Sequence, residues 1–127
     1  MTLLRTALIA ALLFVPLLAQ AKDPNATDPS AAIVPDGVAV YATINNPGMY
    51  DAYVQSGTSD AGKVELRDGG KPTSNILVPS FGAVELKAGG PYVLITGLKG
   101  QPKAGDTIKL TLNTDGGAAL AIAAVIK

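Results

Sequence analysis

From Ile33 to the C-terminus, apolar and polar positions alternate in short runs, the period of half-buried strands. Val64 and Leu66 are set inward between Lys63, Glu65 and Arg67. Val84 and Leu86 repeat the pattern with Glu85 and Lys87, and Ile108, Leu110 and Leu112 carry it through residues 107–113. Residues 38–44 form a run rich in β-branched residues, stopped at Asn45-Asn46-Pro47-Gly48, where fixed φ and side-chain-to-backbone bonds set a turn. Residues 52–55 and 75–78 predict two further short strands. Residues 92–96 are uniformly apolar, which predicts a central strand buried on both faces. Asp115-Gly116-Gly117 predicts a hairpin into residues 118–126. That last segment is Ala-rich and a helix is its alternative. Strand is preferred because a Gly-Gly turn and an alternating strand precede it. No amphipathic helix is evident, and seven to nine short strands with turns between them predict an all-β sandwich of Greek-key-like topology.

The N-terminal part follows other rules. Arg5, an apolar run over residues 7–18 and Ala19-Gln20-Ala21 have the form of a secretory signal peptide, residues 1–21, cleaved after Ala21. The run is short for a bilayer span, which needs about 20 apolar residues. No Cys follows, so an acylated N-terminus is not expected. Residues 22–32 (KDPNATDPSAA) are polar with two Asp-Pro steps and read as a flexible leader. Asn25-Ala26-Thr27 fits a glycosylation sequon, which acts only in a eukaryotic secretory pathway. This leaves residues 33–127 as one domain. Without Cys or Trp, its stability rests on an aliphatic core.

Charge and side-chain chemistry narrow the function further. Once Arg5 leaves with the signal, nine basic residues face ten acidic ones. The absence of any basic cluster argues against nucleic acid or anionic lipid as a partner. With no His and no Cys there is no ordinary catalytic triad and no thiol nucleophile, and no Gly-x-Ser-x-Gly elbow is present. Glu65 and Glu85 lie at outward strand positions, as solvated carboxylates do. An enzyme is therefore not expected, and no catalytic or cofactor-binding residue is assigned. Asp68, Asp106 and Asp115 sit beside Gly turns without calcium-loop spacing. Residues 57–64 nearly spell a phosphate-binding loop, but Val64 stands where Ser or Thr would hold magnesium and a strand follows. Residues 56–61 read as a polar loop. Gly62–Gly70 echoes Gly82–Gly90, which reads as two strands ending in similar turns. Met49, Tyr50 and Tyr53 cluster in sequence after the Asn45–Gly48 turn and form a possible contact surface, since Tyr gives large contact area at low entropic cost.

Residues 89–117, GGPYVLITGLKGQPKAGDTIKLTLNTDGG, place an apolar strand, two turns (Gly97-Leu98-Lys99 and Ala104-Gly105-Asp106) and an alternating strand in an order that resembles the periplasmic copper chaperones of the PCu(A)C type. Residues 40–48 (VYATINNPG), Asp51 and residues 61–66 (AGKVEL) extend the likeness. The resemblance implies a secreted cupredoxin-like sandwich whose relatives hold Cu(I) with His and Met and deliver it to a respiratory oxidase. It also implies where those ligands would stand. A His following Val-Glu-Leu corresponds to Arg67, and a His-x-Met pair corresponds to Tyr92 and Leu94. The family's Met-bearing loop corresponds to residues 68–79, which hold no Met. Soft Cu(I) needs thioether, thiolate or imidazole donors. After signal removal the one such group is Met49. The expectation is an exported, metal-free relative acting on another periplasmic protein, with no copper or other cofactor. Its alternatives are copper handling with donors supplied in trans, by Met49 or a partner, and an unrelated adhesion or carbohydrate-contact sandwich.

Overall fold

Alternation in the sequence becomes a two-layer β structure in the computed structural model, which describes residues 23–127. The expected signal peptide lies outside the described residues. Ten strands follow in order: β1 (Asn25–Val34), β2 (Gly37–Asn46), β3 (Ala52–Ser59), β4 (Lys63–Asp68), β5 (Lys71–Pro72), β6 (Ile76–Val78), β7 (Gly82–Glu85), β8 (Pro91–Thr96), β9 (Thr107–Thr114) and β10 (Ala119–Val125). One sheet runs β1-β2-β8-β4-β5, with β7 also paired to β2, and the other runs β10-β9-β3-β6. The chain changes sheet at β2–β3, β3–β4, β5–β6, β6–β7 and β8–β9, which interlocks the layers.

The inward positions pack as the period requires. Val38, Val40, Ala42 and Ile44 of β2, with Leu66, Val93 and Ile95, meet Val54, Ile108, Leu110, Leu112, Leu120 and Ile122 of the opposite sheet. All are buried. Such burial contributes about 25 cal/mol per Å² of apolar area. The central position expected of residues 92–96 holds, because β8 lies between β2 and β4 with Val93, Leu94 and Ile95 all buried. The Ala-rich end is a strand: β10 pairs antiparallel with β9 from Ala119↔Asn113 to Val125↔Thr107. Its turn closes through the Thr114 N–H to the Ala118 carbonyl at 3.0 Å. Beyond it, Ile126 forms a parallel bridge to Ala31, so the end of the chain ties β1 to the second sheet.

Two expectations need correction. Residues 22–32 are not a flexible leader throughout, because β1 begins at Asn25 and pairs with β2 from Asn25↔Asn45 to Val34↔Gly37. The Asp28-Pro29 step that reads as a loop breaker is a bulge in this edge strand. The register shifts between Thr27 and Ser30, and Asp28 takes φ 52°. Residues 56–61 are also not simply a loop, since β3 continues to Ser59 after a bulge between Val54 and Ser56. The near-match to a phosphate loop runs into β4 rather than a helix. The echoing Gly-Gly turns meet, with the Gly69 N–H donating to the Gly90 carbonyl at 3.1 Å.

Candidate functional site

Strand parity decides where the positions that the resemblance assigns to ligands go. Leu66, Val93 and Ile95 face the core, so Glu65, Arg67, Tyr92 and Leu94 belong to the outer face of the six-stranded sheet. Arg67 is directly opposite Tyr92 across the β4–β8 ladder, and Glu65 is opposite Leu94. Directly opposed residues have Cβ atoms about 4.5–5.5 Å apart. The three positions therefore converge within reach of one small ligand.

Their side chains have other partners. Arg67 Nη2 donates to Glu65 Oε2 at 2.9 Å, and Nη1 donates to the Gly70 carbonyl at 3.2 Å. Arg67 Nε is buried without a partner among the described residues. The ring of Tyr92 lies against Tyr41, with centroids 6.3 Å apart and planes at 56°, an edge-tilted aromatic pair. Leu94 is buried, but it stands beside Ala39 on the outer face rather than in the sandwich core. A guanidinium, a phenol and an alkyl chain are a poor donor set for Cu(I), and the guanidinium repels a cation. Among the described residues, no group of three or more His, Cys, Asp and Glu comes together to hold a metal.

The Met49–Tyr53 segment divides. Met49 and Tyr50 lie in the loop between β2 and β3 and are 66% and 78% exposed. Tyr53 belongs instead to β3. With Val54 turned into the core, Tyr53 lies on the outer face of the second sheet opposite Leu77. What sequence reasoning missed is Phe81, 75% exposed. It joins Met49 and Tyr50 around an open groove of about 570 Å³ that Asp51 and Asp115 also line. The sequence signal was slight, a lone aromatic in a Pro79–Gly82 turn.

This groove is firmly built. Buried Asn46 donates from Nδ2 to the carbonyls of Tyr50 (2.9 Å) and Val78 (3.0 Å), and its Oδ1 accepts the Gly48 N–H at 3.0 Å. The Phe81 N–H donates to the Gly48 carbonyl at 3.1 Å, and the Ser80 N–H donates to Asp51 Oδ1 at 2.9 Å. Phe81 is held at φ 53°, a left-handed conformation that a bulky side chain adopts only when its surroundings impose it.

The family model described as "Putative lipoprotein LpqE-like" matches residues 20–126. The chain belongs to the LpqE-like family. This LpqE-like chain shares its fold with solved PCuAC domains. The copper-bound PCuAC domain from PmoF2 superposes with a TM-score of 0.70 at 16% identity, covering 80% of this chain and 90% of that one. The apo PCuAC domain from PmoF1 gives 0.70 at 22% identity, with coverage of 80% and 91%. The Cu(I) form of DR1885 from Deinococcus radiodurans gives 0.65 at 25% identity, with coverage of 84% and 78%. These matches establish the all-β, cupredoxin-like PCuAC architecture. No curated protein matches the chain. The family description is that of a lipoprotein, whereas these 127 residues contain no Cys to carry a thioether-linked lipid. Among the described residues no helix is long and apolar enough to cross a membrane.

Proposed function

We propose that this LpqE-like protein is exported and works in the periplasm by binding another protein or assisting assembly, on a PCuAC scaffold that holds no copper of its own. One observation supports the reading: the three positions that the resemblance assigns to copper ligands lie together on one sheet face and present Arg67, Tyr92 and Leu94. The lipoprotein description of the family and the signal-like N-terminus support export. The paucity of catalytic side chains supports binding rather than catalysis.

The test is gain of function. The triple variant Arg67→His, Tyr92→His, Leu94→Met should acquire Cu(I) binding that the parent lacks, because strand register alone brings these positions together. If the parent binds as tightly as the variant, the reading is wrong. A second reading, copper held in trans, draws on Met49, whose thioether is well exposed at the end of the sandwich. Tyr41, at the level of Arg67, is five residues along β2 from Asn46, or roughly 17 Å of strand, which separates Met49 from the ligand positions. Copper transfer abolished by Met49→Leu would select this second reading.

A further inference from the structure

We infer that the groove between the β2–β3, β6–β7 and β9–β10 loops docks an extended protein segment in which Lys or Arg stands beside apolar side chains. The inference rests on the protein-binding reading above and names the surface and the partner's chemistry. Met49, Tyr50 and Phe81 are three of the six large hydrophobic side chains most exposed among the described residues, and they share this one end of the sandwich. Scattered exposed apolar residues are ordinary, but a grouped set around a concavity marks an interaction site. Aromatic and Met side chains are the types enriched in protein interfaces.

Charge specifies the occupant. Asp23, Asp51 and Asp115 line the groove, and no Lys or Arg lines it among the described residues. Asp51 accepts the Ser80 N–H and Asp115 accepts the Tyr53 N–H through one oxygen each. Neither has a cationic partner among the described residues. Carboxylates beside exposed aromatic rings suit a Lys or Arg, whose head meets the acid or the ring face while its stem covers apolar surface. A second copy of the chain fits poorly, because a two-fold contact through this surface brings the same carboxylates together. The hydrogen bonds of Asn46, Ser80 and Phe81 fix the loops before any partner arrives, which lowers the ordering cost of binding.

The experiment pans a display library of random short peptides against the purified protein and measures the affinity of the enriched sequences by calorimetry. Expected is enrichment of Lys or Arg next to Leu, Phe or Trp. Phe81→Gly should weaken binding about tenfold or more, as loss of an interface aromatic does. It leaves the fold intact, because Gly takes φ 53° without strain. Asp51→Asn with Asp115→Asn should weaken basic peptides similarly while retaining both acceptor oxygens. The idea is overturned if no sequence is enriched, if acidic or uncharged peptides win, or if these variants bind as the parent does. It is equally overturned if Tyr50 and Phe81 instead mediate self-association in sedimentation or bind glycans on an array. Copper titration is independent of all these outcomes. A copper-binding parent that still docks basic peptides would refute the metal-free reading and leave the groove standing.

Discussion

Replacing Asn46 with Ala removes the side chain that joins the β2–β3 loop to β6. Three hydrogen bonds are lost, and they are not equal. The Val78 carbonyl belongs to a fully buried residue that stays paired with Ala52 in the ladder but that water cannot reach in place of the amide, so this bond costs the most, about 1–2 kcal/mol. The Gly48 N–H and the Tyr50 carbonyl are only partly buried, so water can replace the amide at about 0.5–1 kcal/mol each. The expected loss is about 2–4 kcal/mol, a fall in Tm of about 10–20 °C for a domain of this size. Urea unfolding at constant m measures it directly. Asn45→Ala is the control. Asn45 also hydrogen bonds, to Asn25 and Thr27, but on an exposed face, and its loss should stay below about 1 kcal/mol. Asn46→Asp adds a pH signature. It keeps the acceptor for Gly48 but aims a carboxylate at two carbonyls in a buried site, which raises its folded pKa. The folded state then binds the proton more tightly than the unfolded one. The variant should therefore lose stability as pH rises from about 4 through that raised pKa, and stay level above it. Asn46→Ala no more costly than Asn45→Ala would refute this reasoning.

Other outcomes follow from packing. Leu110→Ala in the core should cost about 2–5 kcal/mol by denaturant titration. Leu94→Met, a volume-conserving change at an outer-face position, should cost less than about 1.5 kcal/mol and leave circular dichroism unchanged. Gly37→Ala should destabilise by about 1–3 kcal/mol or prevent folding. A Cβ there would lie 2.0 Å from the Ile95 carbonyl oxygen, backbone that cannot step aside, and φ is 152°. Normal thermal stability of that variant would place the β1–β2 turn wrongly.

How much was legible depended on distance along the chain. β4, β9 and β10 were readable because their signals are local: strict alternation, then a Gly turn. β8 was readable as buried on both faces from an unbroken apolar run. β1 was hidden, because Asp28-Pro29 looks like a loop and is instead a bulge on an edge, where Pro's missing N–H costs nothing. A usable signal lay just after it: Pro35-Asp36-Gly37 is turn chemistry, and such a turn needs a strand on each side. The positions assigned to ligands came through the family resemblance alone, and parity along β4 and β8 shows why Arg67, Tyr92 and Leu94 lie together. Met49 and Tyr50 lie together in the β2–β3 loop, whereas Tyr53 lies apart because strand β3 starts at Ala52 and carries it on the outer face of the second sheet. Phe81 could not be found locally. Its place beside Met49 and Tyr50 comes from hydrogen bonds to Gly48 and, through Ser80, to Asp51, contacts that no period in the sequence encodes.

The most direct test of the account is a Cu(I) titration of the purified protein against a calibrated chelator under reducing conditions. The arrangement of Arg67, Tyr92 and Leu94 predicts that the chelator keeps its copper at every ratio. Tight one-to-one capture of Cu(I) by the protein would contradict it and favour copper handling instead.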